Sequence, residues 1–179
     1  MGYVISVFGS SQPQPGSERF KEAEEVGRLL AEHGFSVATG GYGGTMSAVS
    51  RGAAEAGGHV IGVTSTIIEQ YRSIGPNPWV KEEIKYETLQ DRLTHLVHHN
   101  QGMIVLPGGI GTLSEMALAW SLLQVGEIEL RPLSLLGATW SATVKTFFDP
   151  LFIKEKDLRL LNFAADPKSA VAHIVQYVS

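Results

Sequence analysis

The stretch Met103-Ile104-Val105-Leu106-Pro107-Gly108-Gly109-Ile110-Gly111-Thr112-Leu113-Ser114-Glu115 decides how this chain is read. Four apolar residues make a buried strand, Pro107 and the glycines at 108, 109 and 111 make a turn, and a helix opens at Thr112. That succession is a standing arrangement for holding an anion on backbone amides. Glycine lets the backbone approach a ligand with no Cβ in the way, and Thr112 adds a hydroxyl donor. Glu115 follows three residues later and sets a carboxylate beside the bound group. Thr112 and Glu115 also fit a capping box, in which threonine caps the helix and glutamate reaches back to its first amides. A cap needs one polar residue and no glycines, so the glycine density favours the anion site.

Upstream of this motif, Tyr3 to Phe8 reads as a buried strand closed by Gly9-Ser10-Ser11. Ser17 opens a helix with Phe20, Ala23, Gly27, Leu30 and Ala31 at helical spacing, and His33-Gly34 stops it. Phe35 to Thr39 is a second strand. Gly40-Gly41-Tyr42-Gly43-Gly44 is a second glycine turn, leading into a small-residue helix from Thr45 to Ala56, and His59 to Thr64 is a third strand. With right-handed crossovers this β-α-β-α-β order predicts a parallel sheet wrapped by helices. Thr66 to Trp79, with Pro76 and Pro78, is expected as a surface loop. A strand over 80–87, a helix from Thr88 to Asn100, a helix from Thr112 to Val125, a strand over 133–136, a helix over 141–148, a strand over 160–163 and a helix over 167–178 complete the reading. The expectation is one α/β domain over 1–179, doubly wound and Rossmann-like, with a mainly parallel sheet and helices on both faces.

Composition narrows the function. The 179 residues suit one domain with a substantial core, and 44% are apolar. Fourteen basic and 18 acidic residues leave a net charge of −4 without long blocks of either sign, which argues against nucleic-acid binding. There is no cysteine, so disulfides and thiol catalysis are excluded. The opening MGYVISVFGSS has no basic leader, and no segment approaches the apolar length of a membrane span. A cytoplasmic protein with no membrane partner is expected.

The early Gly40-Gly41-Tyr42-Gly43-Gly44-Thr45-Met46 turn and the later run from Pro107 to Glu115, each after a strand, resemble the LOG family. Its members are phosphoribohydrolases of cytokinin nucleotides, long mislabelled as lysine decarboxylases. The likeness runs from Val7-Phe8-Gly9-Ser10-Ser11 to about Pro132. It implies a Rossmann-like homodimer, without a cofactor, that cleaves the N-glycosidic bond of a nucleoside 5′-monophosphate such as a cytokinin riboside monophosphate or AMP. Arginine and glutamate are the family's catalytic residues, which fall here on Arg92 and Glu115. The family has an Arg-Lys pair on the helix before the PGG strand. This chain has Arg92 but Leu93 in the lysine's place.

Breaking a ribosyl C1′–N bond puts positive charge on the sugar and negative charge on the departing base. Glu115 suits the first need: it can stabilise the cationic sugar and orient or deprotonate the attacking water. Arg92 can hold Glu115 or the phosphate, or stabilise the leaving base, but guanidinium gives up no proton and is no general acid. Gly108, Gly109, Gly111 and Thr112 are expected on the 5′-phosphate, and Gly9, Ser10, Gly41, Tyr42, Gly43, Gly44 and Met46 at the same sheet edge against the rest of the substrate. The simpler reading of Met46 is core. On the helix carrying Arg92, residues Leu89, Leu93, Leu96 and Val97 share the side expected to pack on the sheet, with Arg92, His95 and His99 on its shoulder. A surface Arg92 paired with Glu87 or Asp91 is the alternative. His95 and His99 lack a third ligand for zinc, so no metal is expected. Trp120, Leu122 and Leu123 are more apolar than one sheet face needs and suggest a dimer seam.

Other classes fit less well. A nicotinamide dehydrogenase needs G-x-G-x-x-G after the first strand and an acidic residue about twenty positions on; the first turn here is Gly9-Ser10-Ser11, Gly109-x-Gly111-x-x-Ser114 lacks the third glycine, and the third strand ends in Thr64-Ser65-Thr66 with no acid. Nothing marks Lys81, Lys85 or Lys145 as a pyridoxal-phosphate lysine. A carrier similar to the molybdenum-cofactor carriers would need the anion cradle without the glutamate, and Leu93 keeps that reading in view.

Overall fold

A computed structural model describes residues 2–178. Seven strands form one parallel sheet: β1 (Val4–Phe8), β2 (Ser36–Thr39), β3 (Val60–Ser65), β4 (Glu82–Tyr86), β5 (Gly102–Val105), β6 (Leu133–Leu136) and β7 (Leu161–Ala164). Their order across the sheet is β4-β3-β2-β1-β5-β6-β7, and every neighbouring pair is parallel. Parallel strands need helical crossovers, and the chain supplies α1 (Glu18–Glu32), α2 (Thr45–Glu55), α3 (Thr66–Arg72), α4 (Leu89–His98), α5 (Ile110–Val125), α6 (Ala138–Phe147), α7 (Glu155–Leu158) and α8 (Pro167–Val178). The chain winds outward from β1 to β4, then returns to the centre and winds the other way from β5. The reversal lies between β1 and β5, where Phe8 pairs with Val105, and a doubly wound sheet opens its ligand crevice beyond such strand ends.

The central strands are buried on both faces, as a sheet covered on both sides requires. One core joins Ile5, Val7, Val37 and Ile104 to α1, α2 and α8 through Val26, Leu30, Val49 and Ile174. The other joins Phe8, Val63, Met103 and Val105 to α4, α5 and α6 through Leu96, Val97, Met116 and Trp140. Helices α1 and α2 touch backbone to backbone. A Cβ on Gly27 would collide with the Val49 carbonyl, and one on Gly52 with the Glu24 carbonyl. Ser17 caps α1 as its spacing predicts, its side chain accepting from the Phe20 amide.

Three expectations are corrected. Residues 66–72 form helix α3 and not a loop; the helix buries none of its residues, so no core-facing stripe announced it. Helix α5 begins at Ile110, two residues before Thr112, with Gly109 as its N-cap and no side-chain cap. The capping box is therefore not formed. On α4, Leu89 is 45% exposed and Leu93 half-buried, while Arg92 is buried with Leu96 and Val97.

Candidate active site

Beyond the ends of β1 and β5 lies a cavity of about 560 Å³, into which five chain segments reach. Gly9, Ser10, Ser11 and Gln12 come from the β1 loop; Tyr42 and Met46 from the second glycine turn and α2; Gly109, Gly111, Thr112 and Glu115 from the β5 turn and α5. Helix α3 adds Ile67, Ile68, Tyr71 and Arg72, and α4 adds Leu89, Arg92 and Leu93.

Arg92 and Glu115 meet there, 5% exposed each, with Nη1 of Arg92 3.6 Å from Oε1 of Glu115. Arg92 is held on three sides. Its Nε donates to the Val63 carbonyl at 2.8 Å, its guanidinium carbon lies 5.7 Å from the centre of the Tyr42 ring, and its Nη2 fills the space where a side chain at Gly40 would be. A Cβ on Gly40 would collide with that nitrogen and stand 2.6 Å from the Met46 sulfur. Pairing with Glu87 or Asp91 is not what the fold uses: Asp91 accepts from the Thr88 hydroxyl instead, and Arg92 turns inward. Burial pushes the Glu115 carboxyl up to about 7, against the opposing pull of Arg92. At neutral pH this acid is therefore poised between its two protonation states, which suits proton transfer.

The glycine turn faces the same space. A Cβ on Gly109 or Gly111 would meet nothing within 4 Å, and neither has a positive φ. Neither backbone geometry nor internal packing requires glycine at these two positions. Their openness leaves the first amides of α5 accessible to a ligand, where the helix dipole favours negative charge. Gly108 has a different reason: a side chain there would collide with that of Thr112, which is 2% exposed.

The early glycine turn is mostly scaffold. Gly44, at φ 66, caps α2 where a Cβ would collide with the backbone of Ser10 and Ser11. Ser10 and Thr45 are bonded reciprocally, the Ser10 amide donating to the Thr45 hydroxyl at 2.9 Å and the Thr45 amide to the Ser10 carbonyl at 2.8 Å. Gly41, at φ 79, turns toward β3, and its carbonyl accepts from the Asn77 side chain at 2.9 Å. The Tyr42 hydroxyl is fixed by the Ser65 amide and carbonyl, so the ring borders the cavity mainly as a surface under Arg92. Gly41, Gly43 and Gly44 do not line the cavity; Gly9, Ser10, Tyr42 and Met46 do.

The α3 residues of the wall were missed from the sequence. Their one signal was Ile67 and Tyr71 a helical turn apart after Ser65-Thr66. Leu93 lines the cavity, so its side chain belongs to the site and not to the core. No lysine lines the cavity among the described residues; Lys85 lies 2.7 Å from Glu69, and Lys81 donates to the Gly58 carbonyl. His95 accepts or donates at 2.8 Å to the Tyr86 hydroxyl and stacks on His99, and among the described residues no three His, Asp or Glu side chains gather as metal ligands. No described helix is long and apolar enough to cross a membrane. The dimer-seam residues are largely used within the chain: Leu123 is in the core, and Trp120 donates to the Asp157 carbonyl at 2.8 Å.

Known proteins share this architecture. A family model described as "Possible lysine decarboxylase" matches residues 46–174. The cytokinin riboside 5′-monophosphate phosphoribohydrolase of Mycobacterium tuberculosis is 31% identical over 120 residues, which is 66% of this chain and 63% of that protein. The chain thus matches somewhat under two thirds of that relative's length. A protein of the same name from Oryza sativa subsp. japonica is 30% identical over 168 residues, 87% of this chain and 66% of that one. Among solved structures, the molybdenum cofactor carrier protein of Chlamydomonas reinhardtii superposes with a TM-score of 0.77 at 27% identity over 99% of both chains. The molybdenum cofactor binding protein of Rippkaea orientalis superposes with a TM-score of 0.79 at 24% identity over 100% of this chain and 99% of that one, a likeness of fold.

Proposed function

The chain belongs to the LOG family, and on that premise we propose that it hydrolyses the N-glycosidic bond of a nucleoside 5′-monophosphate, releasing the free base and ribose 5-phosphate. One observation carries the reading: the buried Glu115 carboxylate, paired with Arg92, shares a cavity with the open amides of the Gly109–Gly111 turn.

In this mechanism the α5 amides and Thr112 take the 5′-phosphate, and that remote binding energy sets C1′ of the ribose against Glu115. As the C1′–N bond breaks, its electron pair leaves with the base and the sugar becomes cationic. Ionised Glu115 stabilises the cation and takes a proton from the attacking water, whose oxygen bonds to C1′; that proton ends on the departing base. Arg92 orients Glu115 and holds its carboxyl from rising further, so enough is ionised near neutrality. Met46 and the apolar residues of α3 and α4 offer the base a wall.

The protein further acts, in this reading, on a small-molecule nucleotide as a homodimer. The large apolar side chains left exposed on α5 outside the cavity, Leu113 and Val125, support self-association, which light scattering tests. A second reading, a carrier that binds a phosphorylated ligand without cleaving it, is favoured by Leu93 and by the likeness to the Chlamydomonas carrier. Incubation with AMP and its N6-prenylated form, with assay of free base and ribose 5-phosphate, separates the two. Base release dependent on Glu115 supports hydrolysis; tight nucleotide binding with no release supports the carrier.

A further inference from the structure

We propose that Arg72, at the end of α3, is a second anion-binding residue of this cavity and closes on the phosphate of the ligand. The inference rests on the reading of the cavity as a phosphomonoester site. A phosphomonoester carries between one and a half and two negative charges at neutral pH, roughly, and backbone amides with a helix dipole answer only part of that. Arg92 answers little of the remainder, because its charge faces Glu115 and its Nε is taken by the Val63 carbonyl.

Arg72 is the other cation among the described residues that line the cavity, and its charge is unspent. Its Nη1 donates to a neutral hydroxyl, Ser11 Oγ, at 2.9 Å, and no carboxylate among the described residues is paired with it. The carboxylate best placed along the helix to neutralise it is Glu69, three residues earlier, and Glu69 is committed to Lys85 of β4 at 2.7 Å. Ser11 follows β1, and Gly109 follows β5, the strands on either side of the crevice. Arg72 held on Ser11 therefore stands on one bank while the open amides stand on the other. Helix α3 buries none of its residues and Tyr71 is 87% exposed, so a shift of this helix end breaks little packing. A fork of guanidinium donors also matches phosphate geometry, which a lone lysine would not.

Calorimetric titration with ribose 5-phosphate, which the proposed reaction does not consume, tests this on wild type, Arg72→Ala and Arg72→Lys. Arg72→Ala is expected to weaken binding roughly tenfold to a hundredfold with an unchanged melting temperature, as loss of a charge-assisted hydrogen bond would. Arg72→Lys should recover part of the loss, and added salt should weaken the wild type more than Arg72→Ala. Binding by Arg72→Ala within twofold of wild type, or no binding by wild type, overturns the proposal. Base release from AMP is followed separately. Its absence alongside an Arg72-dependent affinity would remove the hydrolase and leave Arg72 in place; its presence alongside an Arg72-independent affinity would do the reverse.

Discussion

Replacing Glu115 with glutamine should make the protein inactive and more stable, and the gain in stability should depend on pH. Burial raises the carboxyl from an ordinary 4.5 to about 7, so the folded state holds a proton that the unfolded chain has released between those values. A folded-state pKa that is raised for an acid means stability is lost as pH rises through that window. The difference corresponds to about 3 kcal/mol once pH exceeds about 7. Glutamine mimics the neutral acid and escapes the loss. Melting curves of wild type and Glu115→Gln should nearly coincide at about pH 4.5 and separate by roughly 6–12 °C at about pH 8.5, for a chain of this size. Base release from AMP should fall by at least about a hundredfold in the same variant, while ribose 5-phosphate still binds. Equal separation at both pH values would refute the buried-acid reasoning, and unchanged turnover would refute the catalytic role.

Arg92→Ala removes the cation that opposes the rise of the Glu115 carboxyl, so the ascending limb of kcat/KM against pH should move to higher pH, with a lower plateau. Gly40→Ala drives a methyl into Arg92 and Met46; it should reduce turnover sharply while costing roughly 1–3 kcal/mol in urea unfolding. Gly111→Ala has open space around the new methyl and a better helix former, so it should stabilise by up to about 1 kcal/mol and weaken ribose 5-phosphate binding in calorimetry. Gly27→Ala meets the Val49 backbone on the far face of the sheet; it should destabilise by on the order of 1–3 kcal/mol and leave ligand affinity unchanged.

The central strands were legible as short apolar runs buried on both faces, and helices such as α8 by an apolar face at helical spacing: Leu133–Leu136 and Pro167–Val178 stand where the pattern set them. So was the approach of Arg92 to Glu115, since the family motifs and the sheet edge point to the same place. The depth of Arg92 was not legible. On a helical projection it lies on the shoulder of α4, and only Gly40, the Val63 carbonyl and the Tyr42 ring, from elements far apart in sequence, make room for it inside. Helix α3 escaped for the opposite reason: Ile67, Ile68 and Tyr71 face a cavity, so no core periodicity marks them. The start of α5 was misplaced because Thr112 has the residue type of a cap, while Gly109 takes that position with no side chain at all.

Several features that stability does not explain gather at the β1–β5 crevice. An acid held near neutrality by burial disfavours the folded state above pH 7, and Gly111 weakens the first turn of its own helix. The guanidinium of Arg92 is buried where an apolar side chain would serve packing as well. Elsewhere the close-packing glycines have internal reasons, as Gly27 and Gly52 do at the α1–α2 contact and Gly44 does against Ser10. Locally costly choices that recur around one cavity are the pattern expected where side chains are kept for chemistry and not for packing.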